Sequence, residues 1–235
     1  MIKVENIETC GWKAAFRGMR NPLESHLKAD SAWNQEDGLY LIGPNDADLA
    51  LRLIKAGPEH RKFFRMIHVQ MDITAPLYWW KEMDQYRIFA TTNSYSTMHK
   101  IHSKELTLDD FSHDKLLNDF SIENELFYYG DFETPFTSIE CLQLTINMLN
   151  MYRRLYLETK DKKYWWQLIQ LLPSSYNQKR TWDTTMETVL NVLKQRDHHK
   201  LDEWEVIRQA CFNQIPYCKD FYNAYTHAVM EGKVD

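Results

Sequence analysis

A run of polar and basic side chains between Arg87 and Lys100 carries groups that could bind a ligand. Within fourteen residues it holds a guanidinium, an amide, hydroxyls, an imidazole and an ammonium group, at Arg87, Asn93, Ser94, Ser96, His99 and Lys100. Such groups suit a phosphate or a polar heterocycle, because they form charge-assisted hydrogen bonds. Arg196 ends a later predicted helix and could be a second anchor. The same composition also fits an exposed loop without a ligand, and both interpretations stay open.

Other chemistries find less support in the sequence. His198 and His199 are adjacent, so on a helix their side chains point about 100° apart, which is poor geometry for a shared metal ion. His99 and His102 could share a helix face, but no acidic residue stands beside them at metal-binding spacing. The sequence contains no GxSxG, GxGxxG or GxxxxGK[ST] motif. We therefore predict no metal site, no Rossmann cofactor site and no P-loop.

Composition restricts the partners of the protein. The net charge of −5 and the pI near 6.0 argue against a dedicated nucleic-acid binder, which normally carries a basic domain. The opening residues lack the apolar segment of a signal peptide, and no run of about 18 apolar residues indicates a membrane span. We expect a cytoplasmic protein with no nucleic-acid or membrane partner.

A strand, a turn and a helix precede the polar run. Ile67, Val69 and Met71 alternate with polar residues, which predicts a strand with one solvated face. Pro76 suits the first turn of the following helix, PLYWWKEMDQYR. Trp and Tyr bury large areas, so the aromatic side chains of that helix are expected in the core.

The first half of the chain is predicted to contain both strands and helices, and the second half is predicted to be mainly helical. We predict strands at 2–9 and 38–43, helices in GWKAAFRGMRNP, ADLALRLIKAG and PEHRKFFR, helical segments at 107–126, 139–156, 184–195 and 202–215, two more in KDKKYWWQLIQLLP and CKDFYNAYTHAVM, a break at Tyr128–Pro135, and a connector or strand in SSYNQKRTW. Without internal repeats or linkers, one α+β domain over 1–235 is the simplest account.

Two regions of this pattern resemble the flavin-dependent thymidylate synthases. ITAPLYWWKEMDQYR matches the family's strand, Ala-Pro turn and helix in length, and Arg87 falls on the last arginine of its Arg-His-Arg. With one residue inserted, Asn93 and Ser96 fall on the later Asn and Ser of that motif. Downstream, LLPSSY is similar to a Leu-Pro segment and VLNVLKQR to a helix with an Asn and, five residues on, an Arg, here Asn191 and Arg196. Together the regions span about 66–207.

This resemblance implies a fold and a reaction. The fold is α+β, with a central mostly antiparallel sheet and a helical C-terminal half. In the family, reduced FAD passes a hydride to the pyrimidine of dUMP, methylenetetrahydrofolate gives the one-carbon unit, and NADPH recharges the flavin. The protein binds, orients and polarises, as is usual for cofactor enzymes. The family forms homotetramers whose sites lie between subunits.

The resemblance also implies residue roles. Arg196 would be the catalytic residue that polarises the pyrimidine. Arg87 and Asn191 would bind the flavin, together with Gln85 and Tyr86, which take the places of the first Arg and the His of Arg-His-Arg. The nucleotide would contact the polar run, at Asn93, Ser94, Ser96, His99 and Lys100.

Several family positions carry other residues in this sequence. Besides Gln85 and Tyr86, these are Ser94 in place of Glu, Met98 and Ile169 in place of two nucleotide-binding arginines, and Asp72 in place of a strand His. A charge-assisted hydrogen bond contributes about 1.5–3 kcal/mol, so two or three losses weaken phosphate binding by several powers of ten. We hypothesise that His99 or Lys100 substitutes. The alternatives are an inactive nucleotide-binding or structural relative, or an enzyme acting on a different pyrimidine nucleotide.

Overall fold

The structure, a computed structural model, describes residues 2–36, 38–118 and 136–230. The strands in that part of the chain are β1 (Lys3–Cys10), β2 (Ala32–Trp33), β3 (Tyr40–Leu41), β4 (His68–Pro76), β5 (Thr91–Ser94) and β6 (Asn177–Thr185). The α-helices are α1 (Trp12–Gly18), α2 (Pro44–Ala56), α3 (Leu77–Met83), α4 (Thr97–Lys100), α5 (Ser138–Thr159), α6 (Lys162–Leu171), α7 (Met186–Gln195), α8 (Glu203–Gln214) and α9 (Cys218–Met230). Short 3-10 helices cover Asn21–Leu23, His26–Lys28, Lys62–Met66 and Leu108–Asp110.

The strands form a four-stranded sheet in the order β1-β4-β6-β5 and a two-stranded sheet of β2 and β3. The larger sheet is mostly antiparallel, and the regular elements between Ser138 and Met230 are helices apart from β6. The predicted α+β class, with a helical C-terminal half, is confirmed.

The described residues group into two compact units. Residues 2–3, 74–84 and 94–180 form the first, here the α5–α6 unit, and residues 4–73, 85–93 and 181–230 form the second, here the α7–α9 unit. The prediction of a single domain over 1–235 remains a prediction.

The strand β4 and the helix α3 follow the pattern read from the sequence. Val69, Met71 and Ile73 of β4 are buried, and His68 and Gln70, which alternate with them, are exposed. Trp79 and Trp80 of α3 are fully buried, which confirms the predicted core role of these aromatic side chains. The helix ends at Met83, earlier than predicted.

In the α5–α6 unit, α5 packs on α6. The capping box of Thr137 and Glu140 starts α5, since each side chain accepts the other residue's backbone N–H. Leu142, Ile146 and Leu149 recur at helical spacing along α5 and are all buried, as predicted. They share a core with Ile101, Leu106, Phe111 and Leu168.

In the α7–α9 unit, α9 packs against α2, α7 and α8. Aromatic rings fill the core: the centre of Phe16 lies 5.8 Å from that of Phe63, and Phe64 lies 5.0 Å from Phe221. One face of α7 is wholly apolar, with Met186, Val189, Leu190, Val192 and Leu193 buried. The opposite face is therefore left for polar side chains.

Some predicted elements are corrected. Residues 107–126 were predicted to be helical, but only Leu108–Asp110 makes a 3-10 turn and residues 111–118 are not helical. Phe111 leaves the turn in an extended conformation and bridges Tyr176, while the Ser112 N–H donates to the Ser175 carbonyl, so nonlocal pairing replaces the helix. Residues 119–126 and the break at 128–135 lie outside the described residues.

Three other segments differ in kind or extent. PEHRKFFR contains a 3-10 helix in place of an α-helix, and the strand predicted at 38–43 is only Tyr40–Leu41. The segment SSYNQKRTW, left open between connector and strand, leads into the strand β6. None of the described helices has the length and apolar character needed to cross a membrane.

Candidate functional site

A cavity of about 560 Å³ lies in the α7–α9 unit. Its size is within the range of ligand pockets, about 300–1,000 Å³. It is lined by Pro58, Arg61, Arg65, Gln85, Tyr86, Arg87, Ile88, Phe89, Glu187, Thr188, Asn191, Gln195, Arg196 and Tyr225. All four predicted flavin-binding residues and the predicted catalytic arginine are therefore brought together at one site.

Helix α7 supplies one wall of this cavity. Thr185 caps the helix by accepting the Thr188 N–H, which fixes where it begins. Glu187, Asn191 and Gln195 follow at intervals of four, so they share the face opposite the buried apolar one. Arg196, the C-cap residue directly after Gln195, also lines the cavity, so α7 and its C-terminal end supply both Asn191 and Arg196.

Residues 85–89 form a second wall of the cavity. Two hydrogen bonds connect this segment to α7 and to the residue before the N-cap of α7. The Thr184 hydroxyl donates to the Phe89 carbonyl at 3.1 Å, and the Thr188 hydroxyl donates to the Ile88 carbonyl at 3.2 Å. Phe89 has a left-handed backbone with φ of 57°. Its side chain and that of Ile88 are 61% and 76% exposed. The fixed backbone therefore presents two large apolar groups at the cavity.

The guanidinium of Arg196 contacts two aromatic rings. Its guanidinium carbon is 5.3 Å from the centre of the Tyr86 ring and 5.1 Å from that of Trp204. Its Nη1 lies 3.0 Å from Nε2 of His199, and since arginine only donates, the imidazole accepts this hydrogen bond in the tautomer with its proton on Nδ1. The Leu201 N–H lies 3.1 Å from Nδ1 and competes for the single acceptor nitrogen of the ring. The two rings and His199 orient the guanidinium.

Tyr86 is connected to Asn191 through Gln195. The Tyr86 hydroxyl donates to Oε1 of Gln195 at 3.3 Å, and Nε2 of Gln195 donates to Oδ1 of Asn191 at 3.0 Å. This chain orients the Asn191 amide, whose nitrogen keeps two donors for other bonds. The residue in place of the family's histidine is thus part of an ordered polar network.

The charge of the cavity lining is strongly positive. Four arginines, Arg61, Arg65, Arg87 and Arg196, face a single carboxylate, Glu187. Tyr225 adds no charge near neutral pH, because burial, and secondarily the Glu187 carboxylate, raise the pKa of its phenol despite the nearby Arg61. A cavity with this balance favours an anion such as a phosphate.

The predicted nucleotide-binding residues lie elsewhere. Ser96 and Lys100 line a cavity of about 390 Å³ in the α5–α6 unit, together with Lys104, Lys179, Asn177 and other residues. The Ser96 hydroxyl caps α4 by accepting the His99 N–H. Asn93, Ser94 and His99 are exposed and do not line that cavity.

Several residues of the larger cavity were not among the predicted site residues. Arg65 lies in the 3-10 helix before β4, Arg61 immediately precedes that helix, and Tyr225 comes from α9. The basic residues of PEHRKFFR could have indicated that Arg61 and Arg65 bind a ligand. From the sequence they were interpreted only as the basic end of a short helix. Nothing in the local sequence around Tyr225 marks it as a cavity residue.

The histidines considered as metal ligands have other surroundings. His199 accepts a hydrogen bond from Arg196, and the ring centre of His102 lies 5.0 Å from that of Tyr156. Burial, followed by nearby cations, lowers the pKa of His102. In the part of the chain that the structure describes, no three His, Cys, Asp or Glu side chains are placed to hold a metal ion.

Solved structures share this architecture. Thymidylate synthase X from Helicobacter pylori with FAD and dUMP matches with a TM-score of 0.65 at 18% identity, over 96% of this chain and 99% of that chain. A second structure of the H. pylori flavin-dependent enzyme, complexed with FAD and dUMP, gives 0.64 and 19%, over 94% and 99%. This chain has the fold of the flavin-dependent thymidylate synthases.

A third match extends the set to another enzyme with this fold. The UMP/dUMP methylase PolB from Streptomyces cacaoi, bound with 5-Br UMP, has a TM-score of 0.63 at 14% identity, over 100% of this chain and 96% of that chain. No protein-family model and no curated protein sequence matches the chain. The resemblance to the flavin-dependent thymidylate synthases is confirmed as one of fold, and the residues of the site must carry any argument about function.

Proposed function

We propose that this chain is a flavin-dependent thymidylate synthase-like enzyme that methylates dUMP, or a related pyrimidine nucleotide, with methylenetetrahydrofolate and reduced FAD. One observation carries the proposal: Arg87, Asn191 and Arg196, which match family motif positions from two distant segments, line the same arginine-rich cavity. The fold of proteins solved with FAD and dUMP covers 94% or more of the chain, which supports it.

The residues of the cavity fit a flavin nucleotide. Its positive lining suits a diphosphate, and the exposed side chains of Ile88 and Phe89 suit a flat aromatic ring system. The buried Nη1 of Arg61 has no hydrogen-bond partner among the described residues, which leaves a donor for a ligand oxygen. Arg87, Asn191, Gln85 and Tyr86 would hold the cofactor here.

The protein's part in the reaction is to bind and polarise. When bound, reduced FAD supplies the hydride that the one-carbon unit needs to become a methyl group. Arg196 donates hydrogen bonds to the pyrimidine, and its oriented guanidinium stabilises the negative charge that develops on the ring. Ser96, Lys100, Asn93, Ser94 and His99 are proposed to contact the nucleotide, with Lys100 replacing the phosphate-binding arginine that Met98 displaces.

The remaining family properties are part of the same proposal. They are a homotetramer with sites between subunits, NADPH as the reductant of the flavin, a single thymidylate synthase-complementing-like domain over 1–235, and a cytoplasmic location. The near-complete coverage of the chain by its structural neighbours supports the single domain. An active site shared between subunits would allow residues from separate cavities of one chain to serve one reaction centre.

The alternatives rest on the changed motif. Gln85 and Met98 remove cations from family positions, which is compatible with an inactive nucleotide-binding relative. A different substrate is compatible with the same scaffold, since the S. cacaoi protein is a UMP/dUMP methylase. These alternatives predict different nucleotide specificities and different flavin contents.

The experiment supplies the purified protein with FAD, NADPH, methylenetetrahydrofolate and either dUMP or UMP, and follows the methylated nucleotide by chromatography. dTMP formation, and growth of a thymidine auxotroph that expresses the protein, are expected. Product from UMP alone identifies another pyrimidine nucleotide as substrate. A colourless protein that takes up no FAD on titration and gains no thermal stability with dUMP is a structural relative, and the proposal is then wrong.

A further inference from the structure

Arg61 is a buried arginine at the large cavity, outside the family motifs. The residue is only 3% exposed. Its Nε donates to both carboxylate oxygens of Glu187, at 2.9 Å and 3.2 Å. Its guanidinium carbon lies 4.2 Å from the centre of the Tyr225 ring. The carboxylate on one edge and the ring on one face fix the plane of the guanidinium before any ligand arrives.

This pairing leaves part of the guanidinium unsatisfied. Glu187 engages Nε, whereas the buried Nη1 has no partner among the described residues. A buried charged donor without an acceptor is unfavourable, so protein structures rarely keep one without a function. Because Arg61 lines the cavity, an oxygen of a bound ligand can supply the missing acceptor.

A second arginine, in the 3-10 helix that follows Arg61, reinforces the site. Arg65 lies four residues after Arg61, is exposed, lines the same cavity and forms no ion pair with any residue that the structure describes. The only carboxylate of the lining, Glu187, is already bound to Arg61. Arg61 and Arg65 therefore add positive charge that the lining does not neutralise.

The position of these arginines relates them to the altered motif. Gln85, which stands where the family has its first motif arginine, lines the same cavity and brings no charge. We infer that Arg61 and Arg65 form a phosphate subsite that takes over this lost cationic contact and binds a phosphate or diphosphate group of a nucleotide ligand. The subsite itself follows from the cavity, whereas the identity of the nucleotide, FAD or dUMP, rests on the proposed function.

The test compares ligands with and without phosphate. The full-length protein and its Arg65→Gln and Arg61→Lys variants are titrated with FAD and riboflavin by flavin fluorescence, and with dUMP and deoxyuridine by calorimetry. Thermal stabilisation by inorganic pyrophosphate gives a reading independent of any nucleoside. Arg52→Gln is the matched control, because Arg52 is an exposed arginine of α2, in the same unit but away from the cavity.

The expected result is a selective loss of affinity for the phosphate-bearing ligand. Arg65→Gln should weaken FAD binding by about tenfold or more, the factor lost with one charge-assisted hydrogen bond, and leave riboflavin binding unchanged. Arg61→Lys keeps a charge but loses the Nη1 donor, so it should weaken FAD in the same direction. A selective loss for dUMP relative to deoxyuridine assigns the same subsite to the substrate phosphate. Arg52→Gln should bind every ligand as the unchanged protein does.

Two results would overturn the inference. One is a parallel loss of FAD and riboflavin affinity, which indicates a role in folding alone. The other is unchanged binding of FAD, dUMP and pyrophosphate in Arg65→Gln, a variant of an exposed residue that should fold. If pyrophosphate stabilisation falls in Arg65→Gln while the unchanged protein forms no methylated nucleotide, the subsite stands and the proposed reaction is wrong.

Discussion

The guanidinium carbon of Arg196 lies 5.3 Å from the centre of the Tyr86 ring, over the residue that replaces the histidine of the family motif. The centre of the Trp204 ring lies 5.1 Å from the same carbon, and Nε2 of His199 lies 3.0 Å from Nη1. The changed motif residue is therefore a contact of the proposed catalytic arginine. A fixed guanidinium loses little freedom when it binds a substrate oxygen, which favours preorganised catalysis.

Replacing Arg196 with lysine should lower turnover strongly and leave folding intact. Lysine keeps the charge but lacks the planar fork that stacks on aromatic faces. We expect kcat for dTMP formation to fall about a hundredfold or more, as with the removal of one preorganised donor, while FAD binding changes little. Arg52→Lys is the control. Unchanged kcat in Arg196→Lys would contradict the catalytic role.

His199 should act as a positioning residue for Arg196. A phenylalanine at position 199 cannot accept the Arg196 hydrogen bond, so His199→Phe should lower kcat about tenfold with little change in KM. His199→Gln offers an amide oxygen and should recover most of the rate. Equal losses in both variants would indicate a structural role.

Lys100, rather than His99, should contribute to nucleotide binding. Lys100 lines the cavity of the α5–α6 unit and His99 does not, although both follow the lost arginine position. We expect Lys100→Ala to weaken dUMP binding about tenfold or more by calorimetry, and His99→Ala to leave it unchanged. The opposite pattern would show that His99 replaces the missing phosphate-binding arginine. Unchanged dUMP binding in the double variant would show that neither residue does.

The buried pair Arg20–Asp46 should make stability depend on pH. Nε of Arg20 lies 2.5 Å from Oδ1 of Asp46, and both side chains are buried. Burial raises the pKa of Asp46, but hydrogen bonds from Ser31, Arg20 and the Asp30 N–H outweigh it and lower the pKa. The ionised carboxylate therefore stabilises the fold above pH about 4, the unfolded-state pKa, and this contribution is lost as pH falls through the lower folded-state pKa.

Urea unfolding of Asp46→Asn tests this dependence. At pH 7 the variant leaves a buried arginine unpaired and should lose about 3–5 kcal/mol. The difference from the unchanged protein should shrink below pH about 4, where the unfolded chain takes up the proton first, and should be lost once pH falls below the lower folded-state pKa. Asp48→Asn, which removes an exposed partner of Arg52, should cost less than about 1 kcal/mol. A difference independent of pH would contradict the ion pair.

Asn150 should hold the segment after α4 against α5. Its side chain accepts the Leu106 N–H at 2.9 Å and donates to the Leu106 carbonyl at 2.8 Å, and it is buried. Asn150→Ala leaves both backbone groups without a partner and should cost about 1–3 kcal/mol for each in unfolding experiments. Asn147→Ala, at an exposed position of the same helix, should change stability by less than about 0.5 kcal/mol. Similar losses in the two variants would contradict this role.

The sequence by itself determined the elements whose cause is local. The alternation in β4 and the spacing of Leu142, Ile146 and Leu149 in α5 follow from which residues must avoid water, and the structure confirms both. The resemblance, rather than the spacing, linked Asn191 and Arg196, and both side chains line one cavity. The motif resemblance added Arg87, and the fold bears out that resemblance.

Only the tertiary structure decided which distant residues meet. Arg61 bonds Glu187 across 126 positions of sequence, so no local pattern reveals that it lines the cavity of Arg196. Ser96 and Lys100 lie within fourteen residues of Arg87 in the sequence, but they line a different cavity, in the other unit. Phe111 is extended, and not helical as predicted, because it forms a β-bridge with Tyr176. Contacts of this kind depend on the packing of whole elements, which local periodicity does not encode.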